Sequence, residues 1–454
     1  MALAAPKLEQ LLRPLEPRSL DALGGEQPPA WLQAGTWRLL ARPRFGGPPK
    51  GELLESFALD SGETLHVLRE AGSGAVYIPF DLDEAYRNYV GEAWRQRADL
   101  RALSRRQLEL YYRVKRLLPR EFWLKARRAF IRFGKPPAFP AWPLEHGVER
   151  LLRFYALCLL QAGDSEEARF YWFWPGTKRA ALILTHDVET GEGLRLALEL
   201  ADLEQERGLR SSFNIVAAQY PVDQGVLREL SERGFEIGLH GLHHDRSLFS
   251  SRAQFEAQLP ALAEAAERFG AKGFRSPATH RVLDWLGELP LAYDCTVPHS
   301  DPYEPQPGGC CSLWPYRLGQ LVELPYTLPQ DHTLFTLLGH RSAQLWLEQA
   351  SAIEQRFGLI QCVSHPDRGY LGDRDKRAIY VELLDALAER ESLWKALPRE
   401  VAAWWRRREA GETELPEQLL GTMHRTGSPE YASFEPPPAS AREALTDRPV
   451  GKGQ

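Results

Sequence analysis

Two short polar runs, about fifty positions apart, carry the side chains best suited to chemistry. The segment 185–189 is Thr-His-Asp-Val-Glu, and the segment 240–244 is His-Gly-Leu-His-His. Two histidines and one carboxylate, with a position left for water, are a typical catalytic zinc set. A further carboxylate can act as a base on that water. Together the two runs predict a metal-dependent hydrolase.

The spacing within each run has a structural meaning. Asp187 and Glu189 are two residues apart, so both side chains point to the same side of an extended segment. His240 and His244 are four residues apart, so they share one face if a helical turn begins at His240. On such a turn His243 points elsewhere and is not expected to be a ligand. The spacing alone leaves open which carboxylate binds the metal and which acts as the base.

The middle of the chain alternates strand-like and helix-like segments, which predicts repeated βα units and a parallel sheet. The apolar run 180–185 is typical of a strand buried on both faces. Six or seven such units without a glycine-rich phosphate loop favour a barrel over an open doubly wound sheet. The candidate residues all follow or end predicted strands, on the barrel face where loops converge. They are Asp187, Glu189, His240, His244, Arg275, Asp294 and His365.

Composition divides the chain into three predicted regions. Residues 1–175 form an N-terminal α+β accessory region, with short strands over 52–80 followed by a helical layer over 83–133. Residues 176–410 form the barrel. Residues 411–454 are rich in Gly, Pro, Ser and Thr, which predicts a flexible, disordered tail.

The segment 91–135 is strongly basic, with 14 Lys or Arg against 4 Asp or Glu. A basic helical stretch with aromatic residues can lie on an anionic membrane surface or bind acidic glycans. It can equally be a helical layer on the main domain with its Arg head groups in water. Both interpretations stay open at this point.

Composition also narrows the class of protein. The formal net charge of −5 over 454 residues gives no reason to expect general nucleic-acid binding. No run approaches the roughly 18 apolar residues of a membrane span. The N-terminal sequence is unlike a secretory signal, and five cysteines without paired spacing favour a reducing compartment. We therefore expect a cytoplasmic protein, in which the Cys310–Cys311 pair is either redox-active or two ordinary thiols.

Five stretches over residues 180–366 resemble the motifs of the polysaccharide deacetylases, carbohydrate esterase family four. The family's T-F-D-D-G motif is similar to the segment 185–189, and its H-S/T-x-x-H motif is similar to 240–244. Arg275-Ser276-Pro277 resembles the third motif, although Ala278 and Thr279 replace its usual aromatic residue and Gly. The stretch around Asp294 resembles the fourth motif, and 359–365 resembles the fifth.

The resemblance implies a distorted (β/α)7 barrel that uses one divalent metal, usually zinc, to remove an N-acetyl or O-acetyl group from a sugar. It implies that Glu189, His240 and His244 hold the metal and that Asp187 is the base for the water. Arg275 would then fix the base, His365 would protonate the leaving amine, and Asp294 would orient a catalytic group. Glu189 stands where the family has Asp, which lengthens this ligand by one methylene.

Two other functions remain open at the level of sequence. One is a metal-dependent hydrolase of a non-sugar amide C–N bond, because metal chemistry alone does not choose the acyl donor. The other is a non-catalytic glycan-binding barrel.

The expected partner is an acetylated sugar or glycan. A cytoplasmic enzyme would act on a sugar nucleotide, a lipid-linked glycan or a small conjugate. The basic segment 91–135 suggests peripheral membrane contact and a lipid-linked substrate as one hypothesis. Two further segments, 301–314 and 328–332, are predicted to line the groove above the metal. Within the second, Asp331 and His332 are expected to bind sugar hydroxyls or each other.

Overall fold

A computed structural model describes most of the chain. The described residues are 6–14, 21–22, 27–46, 50–97, 125, 127, 128, 131, 139–410, 420–426 and 430–438. Most of the basic segment 91–135, and the predicted helical layer beyond residue 97 except four of its residues, therefore lie outside the described residues.

The secondary structure contains many short strands and a smaller number of helices. The strands are β1 (Asp21–Ala22), β2 (Ala30–Ala34), β3 (Trp37–Ala41), β4 (Gly51–Leu59), β5 (Thr64–Glu70), β6 (Val76–Ile78), β7 (Glu167–Tyr171), β8 (Ala180–Val188), β9 (Ser211–Ile215), β10 (Glu236–Leu239), β11 (Gly273–Phe274), β12 (Tyr293–Asp294), β13 (Tyr316–Leu318), β14 (Leu321–Glu323), β15 (Leu359–Ser364), β16 (Leu393–Lys395), β17 (Leu420–Arg425) and β18 (Ala432–Glu435). The α-helices are α1 (Leu8–Leu12), α2 (Leu82–Val90), α3 (Gly147–Ala162), α4 (Gly191–Gln205), α5 (Gln224–Glu232), α6 (Arg252–Phe269), α7 (Leu283–Leu286), α8 (Gln344–Gln355), α9 (Arg374–Ala388) and α10 (Pro398–Ala410).

One compact unit, which spans residues 181–402 and includes 95–145, is built on a parallel sheet. Seven of its nine strands follow the order β14-β12-β11-β10-β9-β8-β15, and every neighbouring pair in that order is parallel. β13 pairs with β14 in the antiparallel direction, and β16 pairs with β8. Beyond β14, the N–H groups of Thr327 and Leu328 donate to the carbonyl of Gln361 in β15, at 3.4 and 3.1 Å. The two ends of this series of seven parallel strands therefore meet, and the predicted distorted (β/α)7 barrel is confirmed.

Local sequence explains where the strands give way to helices. All nine residues of β8 are buried, as expected of a strand covered on both faces. α4 begins after Thr190, whose hydroxyl oxygen accepts from the N–H of Gly193 at 2.9 Å. α6 begins after Ser251 in the same way and ends at Gly270, which has a φ of 65°. These signals fix the lengths of the loops at the carboxyl ends of the strands.

The second compact unit comprises residues 5–94, 146–180 and 403–454. It holds a six-stranded sheet of order β1-β6-β5-β4-β2-β3 and a three-stranded sheet of order β18-β17-β7. The rings of Trp37, Phe57 and Phe154 pack together with centroids 5.3 to 5.8 Å apart. This aromatic cluster joins β3 and β4 to the long helix α3.

The composition of the tail was a poor guide to its structure, and the expectation for 411–454 needs a correction. Within that stretch β17 pairs with both β7 and β18, and Met423 and Phe434 are buried. A few buried apolar side chains anchor these strands, while the flanking Gly, Pro and Ser residues dominate the overall composition. The compact units also divide the chain differently from the predicted boundaries, because 95–145 groups with the barrel.

Two negative findings hold for the described part of the chain. No helix there is long and apolar enough to cross a membrane. All five cysteines are buried, and none of them forms a disulfide.

Candidate active site

The predicted site residues come from different strands but lie on one rim of the barrel. Asp187 is the last residue but one of β8, and His240 directly follows β10. Arg275 directly follows β11, and His365 directly follows β15. The carboxyl ends of the parallel strands therefore converge as the sequence predicted.

The three predicted metal ligands are brought together. One ligand atom each from Glu189, His240 and His244 lies within 4.8 Å of the others. The Nε2 atom of His244 is 2.9 Å from Oε1 of Glu189, and the two imidazole rings have centroids 5.2 Å apart. One carboxylate and two imidazoles in this arrangement can hold a divalent cation.

The backbone brings the two histidines together in a different way from the one expected. Residues 240–246 form no helical turn, because the chain reverses at Gly241, where φ is 76°. A Cβ atom at Gly241 would lie 3.1 Å from the ring of Pro277. The N–H of His244 donates to the side chain of Gln219 at 2.7 Å, and His243 is exposed. The two imidazoles therefore come together through a bend at Gly241, and not through the helical turn that the H-x3-H spacing suggested.

The hydrogen bonding of His240 tests whether these residues fit a metal. Its Nδ1 is 3.0 Å from the carbonyl oxygen of Arg275, which can only accept, so Nδ1 carries the proton. Its Nε2 is buried and has no hydrogen-bond partner among the described residues. Burial lowers the pKa of His240 to about 4. A neutral imidazole whose other nitrogen is fixed by a carbonyl is the usual form of a metal-ligating histidine. The residues therefore fit a divalent metal.

Asp187 is a buried carboxylate with fixed partners. Its Oδ1 accepts from the Nδ2 of Asn214 at 2.8 Å and lies 3.3 Å from the Nε of Arg275. Burial raises the pKa of Asp187, but its interactions with His240, Arg275 and His365 and the hydrogen bond from Asn214 together lower it below its ordinary value. Asp187 is thus held ionised and oriented beside the proposed ligands.

Asn214 was missed in the sequence, although a signal was present. It lies between Phe213 and Ile215 in β9, a strand in which every residue is buried. A lone amide at the carboxyl end of a buried strand requires a hydrogen-bond partner. In the structure that partner is Asp187, which lies opposite Asn214 in the β8–β9 register.

His365 is held by a second buried carboxylate. Its Nδ1 donates to Oδ1 of Asp331 at 2.7 Å, and its backbone N–H donates to Oδ2 at 2.9 Å. Burial alone would lower the pKa of His365, but Asp331, with smaller contributions from Glu189 and Asp187, raises it to about 10. Its Nε2 lies 3.7 Å from Oε1 of Glu189. Asp331 therefore binds His365, and neither of the two alternatives expected from the sequence describes this contact.

Asp294 lies near the site but has different direct partners. The backbone N–H and hydroxyl of Thr296 donate to its two carboxylate oxygens, at 2.9 and 2.7 Å. Glu323 is its register partner in β14, and burial raises the pKa of both carboxyls. Asp294 affects Arg275 through its charge. Its role in orienting a catalytic group stays a prediction.

Asp367 connects the strand end that carries His365 to the one that carries Glu189. Its Oδ2 accepts from the backbone N–H of Glu189 at 3.1 Å, and its Oδ1 accepts from the hydroxyl of Thr190 at 2.5 Å. A Cβ atom at Gly193 would lie only 2.3 Å from this Oδ1. Asp367 had no predicted role, because its partners are 177 and 178 positions away in the sequence.

Comparison with known proteins gives matches among solved structures. No family model matches the sequence, and no curated protein is similar to it in sequence. A structure from Mycobacterium smegmatis, assigned to the polysaccharide deacetylases, is 20% identical with a TM-score of 0.43, and the match covers 53% of this chain and 94% of that one. Puue allantoinase is 18% identical with a TM-score of 0.41, over 52% and 93%. A structure from Pseudomonas aeruginosa PAO1, also assigned to the polysaccharide deacetylases, is 17% identical with a TM-score of 0.41. The match covers 52% of this chain and 94% of that one. The family that the motifs of this chain resemble is thus among these structures.

Proposed function

We propose that this chain is a metal-dependent hydrolase that removes an acetyl group from an N-acetylated or O-acetylated sugar or glycan. The observation that carries the proposal is the convergence, on one barrel rim, of a possible metal site, an ionised carboxylate and a protonated histidine. The motif resemblance to polysaccharide deacetylases supports the choice of an acetylated sugar as the substrate. The metal is proposed to be zinc, because two imidazoles and one carboxylate suit it.

Glu189, His240 and His244 would hold the metal. When bound, it would polarise the acyl carbonyl and make a water molecule more acidic. The neutral Nε2 of His240 has a lone pair to offer, because its proton is held on Nδ1. The side chain of Glu189 is one methylene longer than the Asp of the family motif, and it reaches the same region as both imidazoles.

Asp187 is proposed to be the general base. Its pKa lies below the ordinary value, so it is ionised and able to accept a proton from water at neutral pH. Its Oδ2 lies 4.0 Å from Nε2 of His240, next to the atoms that would hold the metal. Asn214 and Arg275 fix its Oδ1, which leaves Oδ2 to take the proton.

His365 is proposed to be the general acid. Asp331 holds its Nδ1, so the proton on Nε2 is the one available to the departing nitrogen or oxygen. Nε2 faces Glu189 at 3.7 Å and therefore lies at the edge of the proposed metal site. Base and acid then act from two different strand ends, β8 and β15.

Two narrower proposals depend on evidence outside the described residues. A lipid-linked substrate and peripheral membrane contact depend on the segment 91–135, most of which the structure does not describe. Flotation with anionic liposomes tests this hypothesis. It fails if the protein stays at the bottom and charge reversal within 91–135 changes nothing. A cytoplasmic location stays a prediction from the cysteine content.

Acetate release from acetylated sugars by the metal-loaded protein is the direct test. Asp187→Asn should lower kcat/KM by about 10²- to 10⁴-fold because the base is lost. The fold and the metal content should stay unchanged, and Glu192→Gln, at an exposed carboxylate, is the matched control. Hydrolysis of non-sugar amides alone would favour the C–N hydrolase alternative. Sugar binding without any Asp187-dependent turnover would favour the non-catalytic barrel.

A further inference from the structure

Two segments that were predicted to line the groove meet beside His365. Glu304 comes from the segment 301–314 and His332 from the segment 328–332, and Nδ1 of His332 lies 3.9 Å from Oε1 of Glu304. The ring of Tyr370 has its centroid 6.0 Å from that of His332 and 4.7 Å from that of His365. A continuous row of side chains therefore leads from the proposed general acid to Glu304.

The backbone around His332 is unusual. His332 is the first residue of a π-helix that ends at Leu337, and π-helices are rare and often found at functional sites. The residue before it, Asp331, is the one that holds His365. One irregular turn thus places both the partner of the general acid and the next polar side chain in the row.

The loop that carries Glu304 is held in place by hydrogen bonds. The side chain of Gln306 accepts from the N–H of Arg281 and donates to its carbonyl, both at 2.9 Å. The N–H and carbonyl groups of Asp301 and Gly308 also bond to each other, at 2.7 and 3.0 Å. Glu304 therefore belongs to a loop that hydrogen bonds hold in one conformation, which suits a residue that recognises a ligand.

The exposure and charge of this row suit the binding of hydroxyl groups. The side chain of Glu304 is 5% exposed and that of His332 is 21% exposed, while Tyr370 is half-buried. Burial raises the pKa of Glu304, but His332, Arg127 and His280 together lower it below its ordinary value. A buried, ionised carboxylate is a strong hydrogen-bond acceptor.

We infer that Glu304, His332 and Tyr370 form a leaving-group subsite that binds a hydroxyl-bearing ring. The inference rests on the proposed function, because the leaving group must lie next to the acid that protonates it. Glu304 and His332 would bind ring hydroxyls, and the Tyr370 ring would pack against the apolar face of the sugar. A site built to hydrogen-bond hydroxyls disfavours analogues that lack them. The leaving group is therefore the amine or hydroxyl of a sugar rather than an apolar amine of similar size.

Two probes that differ in their hydroxyl groups test this subsite. Tri-N-acetylchitotriose carries ring hydroxyls, and N-acetylcyclohexylamine has none. Glu304→Gln and His332→Ala should each lower kcat/KM on the sugar by about tenfold or more, with a much smaller change on the cyclohexyl amide. His340→Ala, at an exposed histidine just beyond the π-helix, is the matched control and should behave as wild type. Calorimetric binding of the deacetylated trimer should weaken by a similar factor in Glu304→Gln.

The outcomes separate this subsite from the proposed reaction. Equal losses on both probes, or no loss on either, would overturn the subsite while the hydrolysis stands. Glu304-dependent binding of the trimer without hydrolysis of either probe would support the subsite and remove the proposed function. A wild-type protein that neither binds nor cleaves the sugar would overturn the subsite.

Discussion

The ends of β10 and β15 each carry a buried histidine, and the two are held in opposite ways. At the end of β10, Nδ1 of His240 bonds the carbonyl of Arg275 at 3.0 Å. At the end of β15, Nδ1 of His365 bonds the carboxylate of Asp331 at 2.7 Å. The pKa of His240 falls to about 4, whereas that of His365 rises to about 10. Both histidines are buried, so the carboxylate that bonds Nδ1 of His365 is the main difference between them.

In the proposed reaction, this contrast gives His240 and His365 different roles. A neutral imidazole offers a lone pair to a metal, and a protonated one offers a proton to a leaving group. Glu189 contacts both regions, at 2.9 Å from His244 and 3.7 Å from His365. Oε1 of Glu189 is thus close to both a proposed metal ligand, His244, and the proposed general acid, His365.

Asp331→Asn should break the contrast and have the largest effect. The amide can still accept from Nδ1 but carries no negative charge, so the pKa of His365 should fall well below that of wild type, with only Glu189 and Asp187 left to oppose burial. We expect kcat/KM near pH 8 to fall by about 10²- to 10³-fold. NMR titration of the imidazole would check the cause. A His365 that remains protonated at that pH in the variant, with activity retained, would contradict this account.

The same pair should make stability depend on pH. The folded pKa of His365 is raised above 6.5, so its contribution is fully present below pH 6.5 and is lost as the pH rises through about 10. Removing one partner of a buried ion pair is costly. The free energy of unfolding of wild type should therefore exceed that of Asp331→Asn by on the order of 3 kcal/mol near pH 6.5. Urea unfolding of chelator-treated protein across this range measures the gap. A gap that stays constant up to pH 10 would rule out His365 as its source.

Smaller effects, on metal binding, are expected from changes around Asp367, which connects the strand end that carries His365 to the one that carries Glu189. In Asp367→Asn, the amide can accept from only one of the two donors, the N–H of Glu189 or the hydroxyl of Thr190. In Gly193→Ala, the new methyl group pushes the Asp367 carboxylate aside. Each change should weaken metal binding by about 10- to 100-fold in chelator competition.

Gly191→Ala is the matched control, because a Cβ there would meet only Tyr220, at 3.8 Å. If Gly193→Ala and Gly191→Ala bind the metal equally well, Asp367 does not position Glu189.

Residues with local spacing were the easiest to predict from the sequence. Asp187, Glu189, His240 and His244 stand in short runs at strand ends, and the structure brings all four together. The helical turn assumed for 240–244 was the weak step, because spacing does not show the left-handed φ of Gly241. An H-x3-H pattern can be satisfied by a bend as well as by a helix.

The supporting residues were missed because strand pairing brings them in from distant positions. Asn214 meets Asp187 through the β8–β9 register, and Asp331 meets His365 across 34 positions. Asp367 meets Glu189 across 178 positions. The strands β17 and β18 were hidden for a related reason, since each is short and pairs with a partner distant in sequence or with the other.

The metal content of the purified protein tests the central claim most directly. Elemental mass spectrometry should find about one zinc ion per chain in wild type, and Glu189→Ala and His240→Ala should lose it. His243→Ala, at the exposed histidine of the same bend, should retain it. A wild-type protein with no stoichiometric metal, even after metal is added back, would contradict the hydrolase account and favour the glycan-binding barrel.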